Sequence, residues 1–212
     1  MSRGRKVWLN TRSRVEHTIV FVPGLGDDEW KMRLVFGLWR RRGFIPIIYN
    51  MHWRDGGHFE NKLQNLLQVV DKNLKKGKVS LIGTSAGGSA VANVLLARKD
   101  KIVSVVNVCG RLRRGLRMGL RSFESMTKTS VAFAESVAQF EDHEFVLTAQ
   151  DRKKILTIHP LFDELVPPET TMIEGATNLV IPSIEHGLSI VIAITLWSGR
   201  IARFLRSGKL SI

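Results

Sequence analysis

Six short apolar runs punctuate the chain, at residues 18–22, 44–49, 79–82, 102–108, 155–158 and 179–181. Each is nearly continuous rather than alternating, the pattern of strands that are covered on both faces in a parallel sheet. Between them lie longer stretches of helical period, at residues 30–42, 59–75, 86–99 and 187–206. In the second of these Phe59, Leu63, Leu66, Leu67, Val70 and Leu74 form one apolar stripe, with Lys62, Gln64 and Asp71 on the other side. Gly43 and Gly77 follow two of the helical stretches as stop signals. Strands alternating with helices predict an α/β fold: a mainly parallel sheet of about six strands with helices on both faces. In such sheets functional sites gather beyond the carboxyl ends of the strands.

One interval breaks the rhythm. Residues 111–150 separate two predicted strands by more than a single crossover helix requires. Arg111, Arg113, Arg114, Arg117 and Arg121 crowd its first part, Gly115 and Gly119 weaken any helix there, and residues 131–140 have a helical pattern. Two readings stand side by side: a crossover helix with a long leading loop, or a small mobile cap over the site. No repeat or Pro/Gly-rich linker divides the rest, so residues 1–212 are expected to form one domain, with 1–15 as a basic N-terminal segment.

Composition narrows the field. With 44% hydrophobic and 24% charged residues, the chain has neither a disordered nor a collagen-like character. Its one cysteine, Cys109, excludes an internal disulfide framework and cysteine-based zinc sites, and suits a reducing compartment. A formal charge of +13 favours anionic partners without specifying chemistry. Residues 1–14 hold no apolar core of a secretory signal, and the longest apolar run, 188–197, is about half the roughly 20 residues of a membrane-spanning helix. A soluble, cytoplasmic protein is the expectation.

The segment with most chemical content is Gly83-Thr84-Ser85-Ala86-Gly87, a G-x-S-x-G pattern directly after a predicted strand and before a predicted helix. A serine on so tight a turn projects its hydroxyl at the sheet edge, and bulky neighbours in place of Gly83 and Gly87 would clash. The helix start also aims N–H groups at developing negative charge. Neither phosphate-binding glycine pattern, G-x-x-x-x-G-K-[ST] or G-x-G-x-x-G, fits this stretch.

Serine needs a base, and the base needs an orienting partner. Of six histidines, His17 precedes the first strong strand at the wrong end of the sheet, His52 and His58 follow the second strand, His143 lies in the long interval and His159 ends a strand. His186 follows the last strand and opens the C-terminal helical stretch, where a loop can reach Ser85. Asp163, between Pro160 and Val166-Pro167 after the fifth strand, is the candidate acid. Serine, acid, histidine is a chain order that puts all three at strand ends of one sheet. The first strong strand ends in Pro23-Gly24-Leu25-Gly26, whose glycines let N–H groups point inward, so the amides of Leu25 and Ala86 are candidates for an oxyanion hole. Read alone, the same stretch is also a plain turn in which Asp27 or Asp28 caps the helix near Trp30. Gly24, Gly26 and Trp53 are candidate substrate contacts. Leu25, Trp30, Met51 and the 111–150 interval are further candidates for apolar surface facing an acyl chain.

Pro23-Gly24-Leu25-Gly26, the turn around Ser85, Asp163 with Val166-Pro167, and His186 resemble the α/β-hydrolase family over residues 18–204, with all four features in the family's order. The resemblance implies the family fold with a small cap or none. It also implies a serine hydrolase that cleaves an ester-type acyl substrate through a Ser85–His186–Asp163 triad and an acyl-enzyme, with no metal and no cofactor. There are two departures: only residues 6–9 precede the core where members usually carry further strands, and Pro23 stands where many carry histidine. The expected partner is a small-molecule or lipid ester, with Arg111 to Arg121 available for an anionic substrate group or a membrane surface. Two rival readings share the scaffold: a non-catalytic binder of nucleic acid or another polyanion, against which no nucleic-acid motif accompanies the charge, and an acyltransferase using the same residues.

Overall fold

A computed structural model describes residues 15–26, 29–116 and 122–208. The basic N-terminal segment to residue 14, the short apolar stretch 6–9, Asp27, Asp28, Arg117, Gly119 and Arg121 lie outside the described residues. The elements run β1 (Glu16–Val22), α1 (Glu29–Arg41), β2 (Ile45–Ile48), α2 (Phe59–Leu74), β3 (Gly77–Thr84), α3 (Gly87–Arg98), β4 (Val105–Val108), α4 (Phe123–Thr127), α5 (Val131–His143), α6 (Ala149–Arg152), β5 (Ile155–Pro160), β6 (Thr177–Ile181), α7 (His186–Ile194) and α8 (Ser198–Ser207).

All six described strands are parallel, in the order β2-β1-β3-β4-β5-β6. The continuous apolar runs have the burial their pattern implies. From Val79 to Thr84 and from Val105 to Val108 every residue is buried, because both faces of the sheet are covered. One layer carries α2, α3 and α5, packed through Phe59, Leu66, Val91, Val94, Val137 and Phe140. The other carries α1, α7 and α8, packed through Trp39, Ala193, Ile201, Phe204 and Leu205. Helix α3, sandwiched between the sheet and α5, is buried on all sides from Gly87 to Leu95, which explains its lack of a polar face.

The order β2-β1-β3 determines where a site can form. After β1 the chain leaves toward β2 on one side, and after β3 it leaves toward β4 on the other. The two loops part at the carboxyl edge and leave a crevice between them.

One expectation needs correction. The final helical stretch is not one helix: it breaks at Thr195–Trp197 into α7 and α8, inclined at 63°. Hydroxyls of Thr195 and Ser198 bond back to the carbonyls of Val191 and Thr195 at the break, a competition for backbone groups that bends helices. The long interval contains a regular crossover helix, α5, packed against α3 and α2, preceded by the short α4. Among the described residues no single helix is long and apolar enough to cross a membrane.

Candidate active site

Ser85 sits between β3 and α3 with φ of +51°, a left-handed conformation that costs a non-glycine residue about 1–3 kcal/mol. Neighbouring backbone holds it there: the Ser85 N–H donates to the Val108 carbonyl (2.9 Å), and the Ser85 carbonyl accepts from the Gly88 N–H (2.9 Å). Close packing explains the small residues around it. A Cβ on Gly83 would lie 2.2 Å from the Gly87 carbonyl oxygen, and one on Gly87 would lie 1.9 Å from the Val22 carbonyl oxygen. The loop after β1 presses directly on the serine, since a Cβ on Gly24 would meet Ser85 Cβ at 2.8 Å and its Oγ at 3.2 Å. Leu25, next to Gly24, and Ala86, next to Ser85, lie on the two loops that bound the crevice. Among the described residues neither of their N–H groups donates to another backbone carbonyl outside helices and strands.

His186 is the first residue of α7. Its Nε2 lies 3.0 Å from Ser85 Oγ, and its Nδ1 lies 2.8 Å from Asp163 Oδ2. Asp163, 1% exposed, uses its other oxygen to accept from the N–H groups of Leu165 (2.9 Å) and Val166 (2.7 Å). With both Asp163 oxygens accepting, Nδ1 is the protonated ring nitrogen, and Nε2 is left to accept from the serine hydroxyl. Three residues distant in sequence thus form one chain of hydrogen bonds across the ends of β3, β5 and β6.

Two further carboxylates hold the histidine in place. Both oxygens of Glu164 accept the His186 N–H (3.2 and 3.0 Å). Glu185 caps α7, accepting from the N–H groups of Gly187 (2.9 Å) and Leu188. An acidic residue beside the histidine at a helix start was the available clue for Glu185. Glu164 acts across 22 residues and leaves no pattern.

The other histidines do not reach the serine. His17 bonds Ser80 at the opposite edge of the sheet, His52 is exposed, His58 pairs with Glu135, His143 bonds the Gln139 carbonyl, and buried His159 bonds the Pro160 carbonyl. Cys109, at the end of β4, is buried, and burial first, then the charges of Asp163, Glu164 and Glu185, push its thiol pKa well up. It is an inert thiol. No cluster of three or more metal-ligating side chains occurs among the described residues.

A cavity of about 670 Å³ opens over Ser85. Gly24, Leu25 and Gly26 line it from β1's loop, Phe133 from α5, Leu165 and Val166 from the acid loop, and Ile190, Val191 and Ile194 from α7. Trp53 does not reach it. Its indole is 1% exposed, donates to the Pro23 carbonyl (3.0 Å) and stacks on Phe59, so it braces the glycine loop from behind rather than touching the cavity. Met51 is likewise core, and the Trp30 side chain lies outside the described residues. The arginine run is largely committed. Arg113 pairs with Glu144, Arg114 with Asp142 and Glu141, while buried Arg111 lines the cavity wall and bonds the carbonyls of Arg113 and Arg114.

No known sequence family and no curated protein matches the sequence. Solved structures do. A monoacylglycerol lipase from Paleococcus ferrophilus is 17% identical with a TM-score of 0.61, over 91% of this chain and 95% of the other. Est1E from Butyrivibrio proteoclasticus is 17% identical with a TM-score of 0.62, over 93% and 90%. A protein from Xanthomonas campestris, described as a hydrolase of the alpha/beta superfamily, is 18% identical with a TM-score of 0.59, over 91% and 99%. These likenesses span nearly the whole length of each chain while sequence identity stays below a fifth. With the parallel sheet and the placement of its loops, they establish that this chain has the α/β-hydrolase fold.

Proposed function

We propose that the protein is a serine hydrolase that cleaves ester-type acyl substrates. The observation that carries this reading is the continuous hydrogen-bond chain from Ser85 Oγ through His186 to Asp163, set at the mouth of a mainly apolar cavity. Ser85 Oγ attacks the substrate carbonyl carbon as His186 Nε2 takes its proton, and Asp163 stabilises the imidazolium that forms. The amides of Leu25 and Ala86 receive the oxyanion. His186 then passes its proton to the departing alkoxide, which leaves an acyl-Ser85 ester. Water, deprotonated by the same histidine, releases the acid and restores the serine. Phe133, Leu165, Ile190 and Val191 offer the acyl chain an apolar wall. In this reading residues 1–212 are one catalytic domain. The 111–150 interval serves as a crossover that contributes Ser125, Thr129 and Phe133 to the cavity.

Fluorophosphonate labelling tests the nucleophile, and a series of p-nitrophenyl esters of increasing chain length tests the cavity. The wild type is expected to label at Ser85 and to turn over esters. Ser85→Ala is expected to lose labelling entirely, and its kcat is expected to fall by about 10⁴–10⁶. A folded wild type that neither labels nor hydrolyses any ester refutes the reading. Retention on heparin without turnover would then point to the polyanion-binding alternative.

A further inference from the structure

The C-terminal helices do something the catalytic reading leaves unused. Helix α7 has a side facing the core and a side facing solvent, and both are apolar. Outward lie Ile184 (70% exposed), just before the helix cap, then Leu188 (54%) and Val191 (52%), one helical turn apart. Leu161 (67%) joins them, because its N–H bonds the Ser183 carbonyl (3.0 Å), and Leu165 lies on the same loop. Leu196 (78%) extends the strip into the bend before α8. Scattered exposed apolar residues are ordinary, but a contiguous set marks a contact surface. This set borders the cavity mouth, since Leu165 and Val191 belong to both.

Helix α8 continues in the same layer with the opposite character. It buries Ile201, Ala202, Phe204 and Leu205 and leaves Arg200 and Arg203 outward three residues apart, while Arg206 turns over the Phe44 ring and donates to the Arg42 carbonyl. From His186 to Ser207 the sequence contains no carboxylate, and Glu185, the acid inside the strip, has both its oxygens engaged in capping α7. An apolar helix followed at once by a basic amphipathic one, on a chain of net charge +13, is complementary to a surface that is apolar just beneath a negatively charged layer. At nine residues α7 is far too short to span such a layer, so it would lie on it.

Resting on the serine-hydrolase reading, we infer that the α7–α8 face docks on anionic lipid bilayers, and that the substrate is an acyl ester drawn from the bilayer through the cavity mouth.

Vesicle flotation with Ser85→Ala protein keeps the lipid intact and needs no catalysis. The probes are vesicles of phosphatidylcholine alone and of phosphatidylcholine mixed equally with phosphatidylglycerol. Binding is expected to the mixed vesicles, weakening with salt. In the same background Ile184→Glu with Leu188→Glu is expected to lower binding roughly ten- to hundredfold, the loss of two partly buried aliphatic side chains. Neither residue lines the cavity. Leu188 is the third residue of α7, where glutamate is favourable, so the fold is kept, and a thermal melt checks it. Introduced into active protein, the pair is expected to spare fluorophosphonate labelling and short soluble esters while reducing hydrolysis of long-chain esters in mixed vesicles by the same factor.

No flotation of Ser85→Ala, while the wild type labels normally, overturns the inference and leaves the catalytic reading standing. Flotation untouched by the glutamates also overturns it, since charge alone would then be responsible. A concentration-dependent dimer that the glutamates dissolve, without vesicle binding, assigns the face to a second copy instead. Flotation of Ser85→Ala alongside a folded wild type that does not label refutes the catalytic reading, and with it the substrate half of the inference.

Discussion

Asp163 and Glu164 are adjacent carboxylates that hold one histidine by different atoms, and this makes their contributions separable. Asp163 meets the ring at Nδ1 and decides which nitrogen is protonated, whereas Glu164 meets the backbone N–H and decides where the ring stands. Asp163→Asn keeps the shape but offers an amide N–H toward Nδ1, favouring the tautomer that cannot accept from Ser85. A fall in kcat of about 10⁴ with little change in KM is expected from steady-state kinetics on a soluble ester. Glu164→Ala removes the acceptor for the His186 N–H. Displacements of about an ångström cost up to roughly a hundredfold in rate, so kcat should fall about 10- to 100-fold at constant KM. Glu164→Gln retains a carbonyl oxygen and should recover most of that loss. A purely structural role would lower the melting temperature in proportion and would not split kcat from KM.

At the scale of elements, the turn from β3 into α3 is held by contacts that tolerate no added atom. A Cβ on Gly88 would lie 1.9 Å from Asn107 Oδ1 and 3.0 Å from the Gly110 Cα. Asn107 cannot swing aside without breaking its Nδ2–H bond to the Gly110 carbonyl (2.9 Å). Gly88→Ala is therefore expected to lower unfolding free energy in urea by about 3 kcal/mol. Adding Asn107→Ala should return about 1–2 kcal/mol of it, a non-additivity that identifies the clash. The small-residue requirement of this turn was legible in the sequence because it is local: strand, Gly83, Ser85, Gly87 and helix follow one another directly. The six strands were legible for a related reason, since burial on both faces leaves unbroken apolar runs. Helix α7's end was not. Residues 188–197 carry no glycine or proline, and the break arises from hydroxyl-to-backbone bonds that look like ordinary helix residues in the sequence. Trp53 was misplaced because an aromatic near a strand end reads the same whether it lines a cavity or backs its wall. Glu164, and the pairing of Arg113 with Glu144 and of Arg114 with Asp142 on α5, escaped for want of any local pattern, being contacts between distant segments.

Across the whole molecule, the opposite edge of the sheet carries a second buried polar cluster, and its chemistry bears on stability rather than catalysis. His17 Nε2 lies 2.9 Å from Ser80 Oγ, which with Ser104 Oγ bonds the carbonyl of Leu205, tying β1, β3 and the strand edge at β4 to the end of α8. The ring also packs edge-on against Phe44. Burial, then the charges of Lys78 and Arg206, lower its pKa from 6.5 to about 4. The sign follows from linkage. As pH falls, the unfolded chain takes up a proton on His17 near pH 6.5 while the folded chain resists until near pH 4. The stability due to the neutral ring is thus complete above about pH 6.5 and is lost progressively down to about pH 4. Because the ring is only partly buried, solvent screening reduces its share to about 1–2 kcal/mol. Urea denaturation at pH 7 and pH 4.5 should show wild type losing that much more than His17→Gln. Acid-sensitive ion pairs such as Asp71 with Arg98 are common to both proteins and cancel in the comparison. His17 stands at the amino end of β1 and Ser85 beyond the carboxyl end of β3, so ester turnover should have the same pH profile in both proteins. Equal acid sensitivity of the two proteins would show that the cluster tolerates a charged ring, and a shifted activity profile would show that the two edges of the sheet are coupled.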